Sequence, residues 1–341
     1  MTRTSRFLVL LAAVLLLGGV GTVAVLHAAD RTARHDKPQQ GGPSVATGTV
    51  GLTPSGGRLL AFRSMAWGPH RDELATVPAD RPNAVRTVSG EKCLRFYAAA
   101  GTGVCLRADH GALQDTYHAV ILDASLHEVR SVPAAGIPSR ARVSPSGHLA
   151  AWTVFVAGDT YGGTSFSTRA SILDTRTWKL EDNLETFTVI KDGQPYHAQD
   201  INVWGVTFAA DDNAFYATVA TGGQTYLVHG DLAARTLTTL HQNVECPSLS
   251  PDGTRIAYKK RVAGAGSASP WRLYVLDLRT GIETATAEQR SVDDQADWSD
   301  NSTLVYALPG DTGSDLWSVP ADGTGTPAKL LSSAASPSYL G

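Results

Sequence analysis

One short strand motif recurs six times along this chain, and no other feature limits the possible folds as strongly. An apolar run ends in Asp, or in Pro-Ala-Asp, at Leu74–Asp80, Ala119–Asp123, Ser171–Asp174, Tyr226–Asp231, Leu273–Asp277 and Leu316–Asp322. Taking Val77, Leu122, Leu173, Val228, Leu276 and Val319 as equivalent gives intervals of 45, 51, 55, 48 and 43 residues. Six copies at roughly 40–55 residues match the period of propeller blades.

A second motif precedes most copies. It reads Ser250-Pro-Asp-Gly253 before Ile256-Ala-Tyr258, with related stretches at Thr53–Gly56, Ser144–Gly147, Ala209–Asp212 and Ser299–Asn301. Pro presets φ, Asp bonds back to local backbone, and Gly takes the positive-φ position of a tight turn. Such a turn joins a short inner strand to the next strand out. In Leu273–Leu278 both faces are apolar, as expected where neighbouring blades cover both sides, whereas a sheet with one wet face alternates. Residues Ser336–Leu340 follow the last full repeat and resemble Pro247–Leu249 at the start of a blade. They read as a closing strand that pairs with the first blade and seals the ring. Asp192-Gly193, between β-prone runs in Phe187–His197, signals an extra hairpin projecting from the fourth blade, either a partner-recognition arm or a decoration.

The Ser-Pro-Asp-Gly turn, the Ile-Ala-Tyr strand and the run Leu273-Tyr-Val-Leu-Asp-Leu-Arg-Thr-Gly281 together resemble the TolB-type (PD40, WD40-like) propeller repeat. The likeness covers about residues 50–341 and is weakest near 85–125. It extends to exported actinobacterial proteins called TolB-like. The resemblance implies an all-β, six-bladed propeller. TolB itself carries an α/β domain ahead of its propeller, where this chain has only a linker, so envelope translocation is not expected to carry over. Peptidase action, known for related propellers beside a serine-peptidase domain, is not expected either, because no Gly-x-Ser-x-Gly elbow is present.

Phe7–Leu26 is an unbroken run of small or apolar residues preceded by Arg3 and Arg6. A helix of about 20 such residues spans a bilayer core of roughly 30 Å, and the arginines favour a cytoplasmic N-terminus. The alternative is a cleaved signal peptide, although a small-residue cleavage site is poorly matched at His27–Ala29. The expected organisation is a signal anchor or signal peptide over 1–29, a disordered linker over 30–49 and the propeller over 50–341. Both readings of the first segment export the propeller, as a single-pass membrane protein or a secreted one. Cys93 and Cys105 flank a hairpin and suit either a disulfide or two small buried side chains, leaving Cys246 unpaired.

With 29 Lys+Arg against 32 Asp+Glu, the chain lacks the basic excess of a nucleic-acid binder. Loops leading into the innermost strands bring His197, Asp200, Glu245, Asp294 and Asp297 towards one channel mouth, with Arg140 and Arg142 opposite. Ring mouths with convergent polar groups suit ligands, here a cation-bearing or metal-bound one. Solvated loop charge explains the same residues. Asp293, Asp294, Asp297 and Asp300 lack the Gly and Glu of an EF-hand, and no His pair has zinc-like spacing, so no metal or cofactor is expected. His110 and His118 read as loop surface. Trp152, Trp204, Trp298 and Trp317 read as core between blades, with carbohydrate stacking as the sharper alternative. The preferred function is an extracytoplasmic binding or scaffold module for a protein or cell-envelope component, tethered to the cytoplasmic membrane by its first segment. The other possibilities are a hydrolase or lyase acting on a sugar or lactone, and a structural spacer.

Overall fold

The structure, a computed structural model, describes residues 3–38, 40–111, 114–162, 166–266 and 269–341. It comprises two units. The first contains helix α1 (Arg3–His35), in which Phe7–Asp30 is long and apolar enough to cross a membrane. Its apolar side chains, Phe7, Leu16 and Leu26 among them, are exposed.

The second unit is a ring of six antiparallel blades. Blade I holds β1 (Val45–Thr47), β2 (Leu59–Ser64), β3 (Glu73–Pro78) and β4 (Arg86–Lys92). Blade II holds β5 (Arg95–Ala99), β6 (Thr102–Asp109), β7 (Thr116–Leu122) and β8 (Glu128–Pro133). Blade III holds β9 (Ile137–Val143), β10 (Leu149–Ala157), β11 (Ser167–Asp174) and β12 (Leu180–Glu181). Blade IV is enlarged: β13 (Thr188–Lys191), β14 (Gln194–Tyr196), β15 (Asn202–Phe208), β16 (Ala214–Thr221), β17 (Gln224–Asp231) and β18 (Thr236–Gln242). Blade V holds β19 (Glu245–Leu249), β20 (Arg255–Arg261), β21 (Trp271–Asp277) and β22 (Glu283–Ala285). Blade VI holds β23 (Asp297–Trp298), β24 (Thr303–Gly310), β25 (Gly313–Pro320) and β26 (Ala328–Leu331). The last strand, β27 (Ala334–Leu340), returns to blade I as its innermost strand and pairs antiparallel with β2.

The six equivalent positions read from the sequence all fall on the third strand from the axis: β3, β7, β11, β17, β21 and β25. The repeated Asp then has a physical reason. Asp123, Asp174, Asp231, Asp277 and Asp322 each accept backbone N–H groups from the turn that follows, for example Arg279 N at 3.0 Å and Thr280 N at 2.7 Å on Asp277. The side chain supplies a turn the backbone alone would leave open. The second motif links first to second strands, with Gly147 at φ 78° and Gly253 at φ 71°, and Asp212 in that role at φ 56°. Blade II replaces it with a tight Ala100-Gly101 turn, which accounts for its weak repeat.

Apolar clusters fill all six spaces between neighbouring blades. Val104 and Ile121 of blade II meet Trp152 and Leu173 of blade III, and Leu60 and Phe62 of blade I meet Val305 and Leu316 of blade VI. Trp152, Trp204 and Trp298 are buried within such clusters, and Trp317 packs against one. Ser338 of β27 is fully buried and bonds both ways to Ala98 of blade II, accepting from its N at 3.1 Å and donating to its O at 2.7 Å.

Two readings need correction. The segment 30–49, expected to be disordered, contains the end of α1 and strand β1, which pairs in parallel with the outer edge of β4. Val45-Ala-Thr47 is short and mostly exposed, so it left no hydrophobic signature. The hairpin at 187–197 does not project: β13 lies parallel to β18, and β13 and β14 extend blade IV outwards. The open edge of β18 offers backbone hydrogen bonds that a free arm would forgo.

Candidate functional site

The ring axis is a channel with two unlike mouths. One is formed by the turns between first and second strands, the other by the loops that lead into the first strands. A cup of about 400 Å³ opens at the turn mouth, lined by Tyr97, Arg142, Tyr216, Asp297, Trp298 and Tyr339 among others. A second cup of about 390 Å³ opens at the loop mouth, where Arg63, Arg95, Trp271, Asp293, Asp294 and Ser314 contribute. Between them the throat holds only about 20 Å³, beside Arg95, Arg140, Arg142, Asp294 and Gln295. That is about the room of one water.

At the turn mouth, Tyr97 donates its hydroxyl to Asp297 Oδ1 at 3.1 Å, and the Arg142 guanidinium lies 4.4 Å from the Tyr97 ring centre. Arg142 also donates to the carbonyls of Gln295 (3.2 Å) and Ala296 (2.7 Å). Burial pushes the Asp297 carboxyl above its ordinary range, against the pull of Arg142 and Tyr97. Burial and Asp297 also raise Tyr339, to about 12. The cup's other carboxylate, Asp252, is saturated by Ser250, Thr254 and Arg255, and these bonds hold it below the usual range. Neighbouring turns lock together: Asp212 accepts from Ser144 (3.2 Å) and Ser146 (2.5 Å) and bonds His148 (2.7 Å), and Arg58 donates to Ser299 O at 2.7 Å.

The loop mouth rests on buried ions. Lys259 is fully buried, with its ammonium on the Asp293 carboxylate and 3.7 Å from Glu245 Oε2. It lies 3.9 Å from the Trp271 ring centre and 4.4 Å from that of Tyr161. Glu245 Oε1 accepts from Arg261 (2.7 Å) and Trp271 Nε1 (3.0 Å). Partial desolvation works against the Asp293 charge, but Lys259 and Arg140 overcome it and hold its carboxyl below the ordinary range. A buried ion of this kind is tolerable only when paired and hydrogen-bonded.

The five candidate residues do not converge. His197 is exposed on the loop after β14, away from both cups. Asp200, on the same loop, accepts from Thr221 Oγ1 and Gly222 N, both at 2.7 Å, and closes the β16–β17 turn. Glu245 lies beneath Lys259, Arg261 and Trp271. Asp294 reaches the throat and loop cup and accepts from Ala307 N at 2.8 Å, whereas Asp297 lines the turn cup. None of these cavities is lined by two of Asp200, Glu245, Asp294 and Asp297. The paired acids a cleavage reaction requires are therefore not assembled from them. Cys93 and Cys105 form a disulfide with sulfurs 2.06 Å apart, joining the β4–β5 connection to β6, and Cys246 is free and buried. Glu91 approaches both sulfurs, but a disulfide offers no thiolate to a metal.

Sequence reasoning missed Lys259 and Arg95. Lys259 sits in Tyr258-Lys-Lys-Arg261, which looks like solvated charge. The available signal was position: a second strand is covered on both faces, so one lysine in that run had to be buried.

These features define a six-bladed β-propeller with a plugged axial channel. Its fold is TolB-like. TolB of Acinetobacter baumannii superposes with a TM-score of 0.52 at 17% identity, over 83% of this chain and 66% of that one. A puromycin-hydrolysing peptidase of Mycobacterium tuberculosis matches with a TM-score of 0.50 at 13% identity, over 83% of this chain and 44% of that one. A chain of the nidogen–laminin complex gives 0.50 at 9% identity, over 84% of this chain and 98% of that one. The chain thus spans less than two thirds of the TolB and peptidase chains, and these likenesses are of fold alone. No protein-family model and no curated protein sequence matches it.

Proposed function

We propose that this chain is a membrane-tethered or exported binding propeller that recognises a protein or cell-envelope component through its turn mouth. The observation that carries this reading is the turn cup itself. It combines five aromatic residues, Tyr97, Phe208, Tyr216, Trp298 and Tyr339, with Arg58 and Arg142, and its carboxylates are either saturated or buried. Aromatic and arginine side chains in a concave patch are typical anchors of recognition. Helix α1 supplies a tether or export segment.

The test is photocrosslinking in cells of the native host, with a benzophenone amino acid at Ala210 in the turn cup or at Val129, exposed on β8. A light-dependent adduct unique to position 210 is expected. The same adducts from both positions, or none from the cup, would sink the reading.

A further inference from the structure

The cations near the axis are committed to partners, with one exception. Arg63 donates to Asp72 (2.9 Å) and to the Leu94 carbonyl (2.8 Å). Arg140 donates to Ser139 O (3.0 Å) and lies 3.5 Å from Asp293. Lys259 is held by Asp293 and Glu245. Arg95, the first residue of β5, lines both the throat and the loop cup and is half-buried, yet among the described residues its side chain has no hydrogen bond or ion pair. Asp294, which lines the same two cavities, attracts this half-buried guanidinium but forms no ion pair with it, and a guanidinium partly withdrawn from water gains from a paired, hydrogen-bonded anion. Burial and the like charges of Arg140 and Arg63 outweigh the attraction of Asp294 and bring Arg95 down to about 10. It therefore stays cationic at neutral pH.

We infer that the loop cup is a carboxylate-binding site whose anchor is Arg95. A planar carboxylate matches the guanidinium fork through two parallel hydrogen bonds. Asp293 and Asp294 line the same cup, so a dianionic phosphate is repelled more strongly than a singly charged carboxylate. Ser291, whose hydroxyl oxygen accepts from Trp271 N, also lines the cup, and the cup's volume of about 390 Å³ admits an acid much larger than acetate. This site lies at the mouth opposite the aromatic cup, and its fate is independent of the function proposed there.

The experiment titrates sodium acetate, and separately sodium phosphate, into the full-length chain in detergent at constant ionic strength and pH 7, following the melting temperature. Acetate should raise it saturably, and phosphate should act more weakly. Arg95→Gln should abolish the saturable response. If that variant does not fold, Arg95→Lys serves, because it keeps the charge and loses the fork, and its apparent Kd should rise at least about tenfold. A wild-type response that never saturates, one that persists in both variants, or tighter binding of phosphate overturns the inference. An acidic peptide that binds at least about tenfold tighter than acetate assigns the carboxylate to a partner chain, and equal binding assigns it to a free small acid.

Discussion

The two mouths of the channel are built on different principles. The turn mouth is made of near-copies: Ser144–Gly147, Ala209–Asp212, Ser250–Gly253 and Ser299–Asn301 close similar turns, mostly with hydrogen bonds between residues close in sequence. The loop mouth is made of unlike segments, and its ions join blades: Arg140 of β9 and Lys259 of β20 meet Asp293 on the loop before β23. Regular turns give the ring its geometry. Irregular loops are free to place charges where no symmetry repeats them, and Arg95, which has no ion pair, lies at their mouth.

The largest effect that would break this contrast is loss of closure. Truncation after Ser333 removes β27, with buried Ala334, Ser338 and Leu340, and opens blades I, II and VI together. Cooperative melting in circular dichroism should disappear, so that both mouths are lost as one. A surviving cooperative transition would show that the blades stand without the closing strand.

Next come the ions. Lys259→Ala leaves Glu245 and Asp293 short of a buried partner and should cost about 3–5 kcal/mol in urea unfolding. Arg255→Ala at the turn mouth removes a pair with Asp252 that is about one-third exposed on each side, and should cost under about 1 kcal/mol. Equal losses would erase the difference between the mouths. The disulfide lies between these extremes. Replacing Cys93 and Cys105 with serine should lower stability by about 2–4 kcal/mol, through the entropy returned to the unfolded chain. A reductant should reproduce the loss in the wild type and change nothing in the double variant.

The smallest effects sharpen the comparison within the turn mouth itself. Asp252 is held below its ordinary range in the fold. Its stabilisation is therefore complete above the unfolded value of about 3.9 and is lost as pH falls through the folded value. Asp297 is raised, so ionising it weakens the fold, beginning as pH rises through about 3.9 and complete above the folded value. Asp252→Asn should lower the melting temperature at pH 7 and flatten the acid limb. Asp297→Asn should raise it at pH 7 and leave it unchanged at pH 3, where the wild-type carboxyl is already neutral. Melting curves from pH 3 to 7 check both signs.

Much of the ring was legible because its signals are local. A strand residue, a turn glycine or an Asp that bonds two or three residues onward is selected by its immediate neighbours, so Val77, Leu122, Leu173, Val228, Leu276 and Val319 could be aligned without a structure. The closing strand was visible for the same reason. Strand β1 was not, because a short, exposed edge strand carries no pattern of its own. The site was far less legible. Asp200 and Glu245 look alike in sequence as loop acids, yet one closes an exposed turn and the other is sealed beneath a lysine, an arginine and a tryptophan.

The amino-acid sequence alone determined the number of blades, the strand on which each repeat sits, the tight turns at one mouth, and an apolar helix ahead of the ring. Only the tertiary structure decided which charges are paired and which are buried. Tyr97 and Asp297 meet across 200 residues of chain, and Arg140 reaches Asp293 across 153. The free energy of a charge depends on the partners that packing brings to it, and closing a six-bladed ring brings those partners from other blades.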